Sequence, residues 1–398
     1  MPAFNPGPAP EPTVINNYRG PEDHTSGRVV VDMKDQILFY RPSATPFLTI
    51  TSGIKGSRTA KNRKFEWLEK DSEPQFVTET AALTPTGTTL TVSSADGDKL
   101  AANDILRNIR TGDVALVTAE AAGSVTITRA IGGAGQVGAI NDVWQVIGSS
   151  YPDNSTLGTP KSITEYEFYN YTQIIRTPFA FTGRDLATEL YGGSDKMNET
   201  KWQGVKHKRL IEKAMLFGKR HKIDASGSTH ERTFTGGLEW AITTNRWDVS
   251  GITLTKSVFD QFLESALREG KGGYLYGSGT KYFFHSSRWG TLFSEWADVK
   301  LEYRVLDKQY GMKANVYQSP HGRLMLVHAP ILDEPGAAGS GFIVDVNHVD
   351  HVTLRGRGTK LLSGREENDR DGEAYEYFSD IGLQVEHEKA HSYVTGLD

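Results

Sequence analysis

The residues best suited to chemistry stand near the C-terminus, where His387-Glu388-Lys389-Ala390-His391 spells H-E-x-x-H. On a helix, two histidines one turn apart can hold zinc while the glutamate activates a water. That chemistry needs the helix. Here Ile381, Leu383 and Val385 alternate as strand residues do. A strand would put His387 and His391 on one face but lose the helical ligand geometry. Ordinary polar strand residues are therefore expected, with a zinc metallohydrolase built on His387, Glu388 and His391 as the rival.

Three further patterns invite a chemical reading. Gly133-Ala134-Gly135-Gln136-Val137-Gly138 fits G-x-G-x-x-G, but Asn141-Asp142 and the strand-like VWQVI follow it. A dinucleotide site would need a helix N-terminus there, so a hairpin loop is the expectation. The acidic run Glu366 to Glu373 resembles a calcium loop without an Asp at its first position, and Phe378 stands where the bidentate Glu belongs. It reads as a solvated turn. His348, Asp350 and His351 lie at a strand end with no partner set indicated, which makes surface or interface polarity the default. No catalytic, cofactor or metal residue is assigned.

Composition narrows the alternatives. The chain of 398 residues contains no cysteine, which removes disulfides, thiolate catalysis and cysteine-ligated zinc. A net charge of −5 lacks the basic footprint of an independent nucleic-acid binder. Contact with nucleic acid would be local. No secretory signal is recognisable, and no stretch approaches the ~18 apolar residues of a membrane span.

The elements that must position these residues fall into distinct textures. A proline-rich start reads as an extended arm, with a short helix over Val31 to Arg41 and, after Pro42 and Pro46, an irregular segment. Lys64 to Leu68 alternates as a strand. From Gly87 to Ile147, short alternating runs separated by Asp-Gly, Thr-Gly and Gly-rich breaks predict a small all-β module hung on two connectors. Asn170 to Thr182 is strand-like, with Pro178 implying an edge or an end of pairing.

A long helix then runs from Ser194 to about His221, roughly 40 Å at 1.5 Å per residue. Its stripe is Trp202, Val205, Leu210, Ile211, Ala214, Met215 and Phe217. The other faces are cationic: Lys196 to Lys222 holds nine Lys or Arg against two Glu, whereas Arg365 to Asp398 holds ten acidic against three basic residues. Such blocks could meet across neighbouring copies. Phe234 to Asp398 mixes helix and strand, with helices at Ser257 to Glu269 and Arg288 to Trp296 and a strand at Lys281 to His285. An α+β domain with a central sheet follows.

Several segments together resemble a known family. Pro42 to Phe47 (PSATPF), Asn170 to Ile174 (NYTQI), Phe181-Thr182-Gly183, Tyr191-Gly192, Ile211-Glu212 and Thr235-Gly236-Gly237-Leu238 are similar to segments of tailed-bacteriophage major capsid proteins. These have the Hong Kong 97-type fold. The resemblance implies an N-terminal arm at 1–60 and an extended loop at 61–169 carrying the β module at about 85–150. It implies a peripheral domain with its spine helix at 170–233, an axial domain at 234–348, and C-terminal strands at 349–398 returning to the peripheral domain.

What that family implies is a shell protein and not an enzyme. The chain would assemble with itself into pentamers and hexamers of an icosahedral virion head around double-stranded DNA, built in the host cytoplasm. Portal protein and scaffold or decoration proteins would be its other partners, with no membrane and no cofactor. Phe39, Tyr40, Phe47, Trp67 and Phe76 are the inter-subunit candidates, with local core as their competing reading. Lys206, Lys208, Lys213 and Lys219 are the candidates for facing interior DNA. An accessory decoration or tail component is the alternative.

Overall fold

One fourteen-residue strand, Gly372–Val385, organises the first of two large sheets. Along one side it pairs antiparallel with Gln173–Thr182 without a break, from Gln173 opposite Ile381 to Thr182 opposite Gly372. Along the other it takes Lys360–Ser363 and then Val349–Leu354, and Ser57–Ala60 joins the latter in parallel. These relations come from a computed structural model that describes residues 45–70, 76–156, 158, 162, 164–188, 195–226, 230–267, 280–297, 306–309, 312–319 and 322–397.

Gln173–Thr182 is an edge strand, which is where Pro178 can forgo its missing N–H. Ile175, Thr177 and Phe181 alternate inward from it. Over that face lies the helix Asp195–Phe217, 23 residues or about 34 Å long. His207, buried, spans Thr177 Oγ1 at 2.9 Å and Ser379 Oγ at 2.8 Å, and the Tyr377 hydroxyl donates to Thr200 O at 3.1 Å. Gly204 lets the Tyr377 ring approach, since a Cβ there would stand 3.0 Å from its hydroxyl oxygen.

The helix is shorter than its sequence pattern predicts. It stops at Phe217 because residues 235–237 cross its end so closely that a Cβ on Gly218 would sit 2.5 Å from Thr235 O. His221–Ile223 then forms a short strand with Arg232–Phe234. Of the predicted stripe, Ile211 and Met215 are buried together with Leu216, while Trp202 and Leu210 remain exposed.

The second sheet has seven strands in the order Arg246–Asp248, Ser392–Thr395, Gly341–Val344, Thr280–His285, Gly322–His328, Met312–Ser319, Leu306–Gln309. Alternation along Thr280–His285 sends Phe284 to one face and Phe283 to the other. On the first side a core shared with the five-stranded sheet and the long helix gathers Phe284, Val344, Ile381, Leu383, Ile211 and Met215. On the second, Phe283 meets Phe259 of Lys256–Leu267 and Trp289 and Phe293 of Ser287–Ala297. The architecture is mixed helix and strand.

The segment after Pro42 is not irregular as expected. Pro46 opens a helix, Pro46–Lys55, where its fixed φ suits the first turn. Phe47, offered as an inter-subunit residue, is buried instead, with its ring edge-on to Phe284 at 5.3 Å. The local-core reading holds for it. The helix expected over Val31 to Arg41, with Phe39 and Tyr40, lies outside the described residues. Of the stretch 349–398 expected to return to the long helix, Val349–Leu354 and Gly372–Val385 lie in the sheet beneath that helix. Ser392–Thr395 instead crosses into the seven-stranded sheet.

Between Lys64–Glu69 and Tyr166–Tyr171, which form an antiparallel ribbon, stands the β module. Its six strands run Phe76–Thr78, Val143–Ser149, Asp104–Asn108, Val114–Ala121, Ser124–Thr128, Thr89–Thr91. A bridge from Glu79 to Val92 closes the last strand onto the first, so the sheet is a small barrel with its own core of Val77, Leu90, Leu106, Val117, Ile127 and Trp144. It begins earlier than the expected residue 85, because Phe76–Thr78 supplies the strand that pairs with Val143–Gln145.

Phe47→Ala should lower the unfolding free energy of the subunit by about 3–5 kcal/mol. The check is a shift of the denaturation midpoint in urea at unchanged slope; a shift below about 1 kcal/mol would deny Phe47 its place in the shared core.

Candidate assembly surfaces

The motifs that resemble catalysts are all used to hold the fold. The long strand stops at Val385, so the expectation that it continues through His391 is not met. His387 takes a left-handed φ of 49°, and Glu388–Ala390 makes one 3₁₀ turn that redirects the chain to the second sheet. The Glu388 carboxylate accepts from Thr243 N at 2.9 Å, Thr244 N at 3.2 Å and the Thr244 hydroxyl. His391 is fully buried, its Nδ1 accepting from Asp345 N at 3.2 Å and its Nε2 donating to Glu386 O at 3.1 Å. Burial, with Lys281 nearby, pulls its pKa down to about 3. Both ring nitrogens are thus occupied by the backbone.

The other patterns fare alike. G-x-G-x-x-G lies in the loop between Ser124–Thr128 and Val143–Ser149, with no helix after it. Glu366 accepts from Ala374 N at 3.0 Å inside the acidic turn. His348 faces Glu386 at 3.9 Å, Asp350 faces Lys55 at 2.9 Å, and His351 pairs with the Thr51 hydroxyl. Among the described residues no three His, Asp or Glu are grouped to hold a metal ion. A Ser287, His328, Asp333 cluster escaped the sequence reading. His328 Nε2 lies 3.1 Å from Ser287 Oγ and 2.6 Å from Asp333 Oδ2, so one nitrogen meets both partners and no proton relay is possible. Asp333 instead accepts from Ser287 N at 2.5 Å, capping Ser287–Ala297.

The surfaces that remain are suited to contact. On the ribbon, Trp67 is half-buried, stacked between Phe65 at 6.1 Å and Phe168 at 6.2 Å, with Nε1 donating to Glu69 Oε1 at 2.7 Å. Phe168 and Tyr166, on the same face as Trp67, are exposed, as is Leu68 on the other. Phe76, half-buried, belongs to the barrel wall opposite Gln145.

Two side chains, Asn170 of the NYTQI segment and Arg220, which lies in none of the family-like segments, fix the ribbon at its base. Asn170 Nδ2 donates to Gly236 O at 2.9 Å and Leu383 O at 2.7 Å, and its Oδ1 accepts from Gly236 N at 2.8 Å. Arg220 lies between the rings of Tyr169, 3.9 Å away, and Trp240, 4.3 Å away, donating to Tyr169 O at 2.7 Å.

The long helix presents Lys206 and Lys208 to solvent, and Lys219, two residues past its end, is exposed as well. Lys213 differs, since it and Arg209 share Glu334 at 2.5 and 2.8 Å. Opposite-sign residues also meet within one chain, where Glu373 and Tyr375 push Lys196 up to about 12. Beneath these cations the same helix carries a buried acid. Glu212 Oε2 accepts from Leu48 N at 3.1 Å, so a carboxyl 164 positions away serves the first turn of Pro46–Lys55, whose own Thr45 makes no side-chain cap. Its Oε1 has no partner, and burial pushes its pKa up to about 8.

A family model described as SU10 major capsid protein matches residues 13–398. A major capsid protein of Pseudomonas phage PaMx41 is 24% identical over 354 residues, covering 86% of this chain and 83% of that protein. Among solved structures, the capsid of an empty GTA particle aligns over 94% of this chain and 97% of its own, at 9% identity and a TM-score of 0.46. The capsid of cyanophage P-SCSP1u aligns over 63% and 80%, at 12% identity and a TM-score of 0.41.

Glu212 sets a pH dependence of definite sign. Between its ordinary value of 4.5 and about 8, the folded state keeps a proton that the unfolded state releases. Stability is therefore fullest below 4.5 and is lost as pH rises toward 8. Glu212→Gln should flatten that slope, gaining on the native chain by up to about 1.4 kcal/mol per pH unit within the window. Parallel urea titrations of both proteins from pH 5 to 8 check this, and parallel curves would place the folded-state pKa near its ordinary value.

Proposed function

The chain belongs to the SU10 major capsid protein family, is a phage major capsid protein, and from that premise we propose that it builds an icosahedral head of the Hong Kong 97 type. The observation that carries the proposal is the family match, which runs from residue 13 to the last residue and so takes in both sheets, the ribbon and the barrel. The subunits form pentamers and hexamers and enclose double-stranded DNA. Rings close at symmetry axes through head-to-tail contacts, and small changes of angle let one chain occupy several environments.

In this reading residues 1–60 are the arm and 61–169 the extended loop, with the ribbon as its stalk. Residues 170–233 and most of 349–398 make the peripheral domain, and 234–348 the axial domain. The exposed aromatic face of the ribbon supports this, since Phe168 and Tyr166 beside Trp67 leave an apolar strip that a neighbour would cover. Together with the arm, such a contact extends each subunit's buried area well beyond the roughly 1,600 Å² of a standard interface. Portal, scaffold or decoration proteins complete the virion, which assembles in the host cytoplasm.

Lys206, Lys208 and Lys219 face the packaged DNA and soften its repulsion. Lys213, tied to Glu334, contributes less. Electron microscopy of the purified chain, expressed alone and with its neighbouring phage genes, tests assembly: closed shells or capsomer rings are expected, and persistent monomers under both conditions would overturn the reading. For the lysines, changing Lys206, Lys208 and Lys219 to Gln should lower DNA retention in high salt. Each lost phosphate contact also reduces the logarithmic salt slope of binding by about 0.9. Equal retention and an equal slope would assign those lysines to solvent alone.

A further inference from the structure

Backbone pairing does not set the angle at which the ribbon leaves the two large sheets and the long helix. Lys64–Glu69 and Tyr166–Tyr171 form a sheet of two strands, and among the described residues no ladder continues from it into either large sheet. Its return strand runs through Thr172 into Gln173–Thr182, which anchors a position but not a direction. A two-stranded ribbon is marginal on its own. Side chains at its base must hold it.

Those side chains first make a pivot. Asn170, buried, exchanges hydrogen bonds with Gly236 and donates to Leu383 O. Opposite it in the register, Phe65 is buried against Gly382, where a Cβ would stand 2.8 Å from its ring. Thr233 Oγ1 donates to Thr172 O at 2.5 Å, and Arg63 pairs with Glu231. These contacts gather at or below one register pair, Phe65 with Asn170. A joint held at one level fixes where the ribbon starts and leaves it free to tilt.

Resisting tilt takes a grip farther out, and Arg220 supplies it. Its guanidinium lies 3.9 Å from the centre of the Tyr169 ring and 4.3 Å from that of Trp240, and it donates to Tyr169 O at 2.7 Å. Tyr169 pairs with Glu66, one register step beyond the pivot. The same ring receives Lys64 Nζ at 4.4 Å, so both strands are tied to it. Ring and main chain are thus held together, by cation–aromatic attraction and by a charge-assisted hydrogen bond. Farther along, Glu69 faces His387 at 3.8 Å, beyond hydrogen-bond reach, and Leu68, Phe168 and Tyr166 are exposed.

Leverage gives that grip its importance. At about 3.3 Å per residue the ribbon is roughly 20 Å long, so a tilt of about 10° at the base displaces its far end by about 3 Å. Packed side chains forfeit much of their attraction across a gap of about 1 Å. The barrel, carried beyond that end, moves farther still. We propose that Arg220 is a positioning residue for assembly, clamping the ribbon at one angle so that the free subunit already presents its exposed strip and its barrel where a neighbouring copy receives them. The inference rests on the capsid reading and adds to it what sets the direction of the loop.

Hydrogen exchange of the full chain before assembly, read by mass spectrometry, tests the clamp. In Arg220→Ala the amides of Lys64–Glu69 and Tyr166–Tyr171 should exchange about tenfold faster than in the native chain, while those of Gln173–Thr182 and Gly372–Val385 keep their rates. Trp240→Ala, which opens the clamp from its other side, should loosen the same amides, and Arg220→Lys, which keeps a cation between the rings and a donor, should fall between. Under assembling conditions Arg220→Ala should give fewer closed shells and a wider spread of diameters by electron microscopy, with Arg220→Lys again restoring part of the loss. Ribbon amides that exchange alike in the native chain and Arg220→Ala would overturn the clamp. A loosened ribbon with shells of native yield and diameter would overturn its role in assembly. If the native chain forms no shell at all, the capsid reading fails and that role with it, while exchange still reads whether Arg220 holds the ribbon.

Discussion

The body of the chain depends on a match of lengths. Gln173–Thr182 and Gly372–Val385 stay in register over ten residues, and the long helix lies across the pair they make. The helix could not hold that place by apolar contact alone, because much of its surface is cationic and Trp202 and Leu210 point to solvent. Polar groups complete the seam: His207 joins both strands, Tyr377 reaches the helix backbone, and Lys196 meets Glu373. Burial lowers the His207 pKa, which keeps its ring neutral and able to serve one strand as donor and the other as acceptor.

From that seam the rest of the body is placed. The C-terminal end of the long strand carries Leu383, whose carbonyl takes the Asn170 amide, so ribbon, sheet and residues 235–237 meet at one point. Beyond Val385 the left-handed His387 turns the chain, and Ser392–Thr395 enters the other sheet between Arg246–Asp248 and Gly341–Val344. The H-E-x-x-H stretch is the connection between sheets, where Glu388 accepts from residues 243 and 244, His391 is held by Asp345 N and Glu386 O, and His387 faces Glu69 of the ribbon. Residues that would make a catalyst on a helix make a fastening here because the backbone around them is extended on both sides.

Much of this was legible in the sequence wherever local physics sufficed. Pro178 marked the edge strand, the alternation after Gly87 marked a β module, and spacing along Ile211 and Met215 marked a buried helix face. What was not legible depended on distant partners. Pro46 read as a breaker because its helix takes its N-terminal partner from Glu212, 164 positions away. Phe47 read as interface or core with equal right, since only its contact with Phe284 decides. The helix ran four residues too long in the reading, as nothing near Gly218 announces that Thr235 will cross it. Asn170 opens the NYTQI segment and Arg220 lies in none of the family-like segments, but neither position reveals in sequence the partners that give it its role.

The barrel obeys a different economy of charge from the body. Body cations such as Lys213, Arg357 and Lys222 find carboxylates on other elements, so their pairing ties the body together. The barrel closes its sheet through the Glu79 to Val92 bridge, fills its interior around Trp144, and spends the charges of its far loops on one another. Asp142 is held far below the usual carboxylate range by Arg110, so it stays ionised at pH values where an ordinary carboxylate takes up a proton. A unit with its own core, joined by two paired strands, can be carried by the body without altering the match between Gln173–Thr182 and Gly372–Val385. It is therefore the part of the chain whose outer surface is least constrained by the fold and most open to shaping by what it meets.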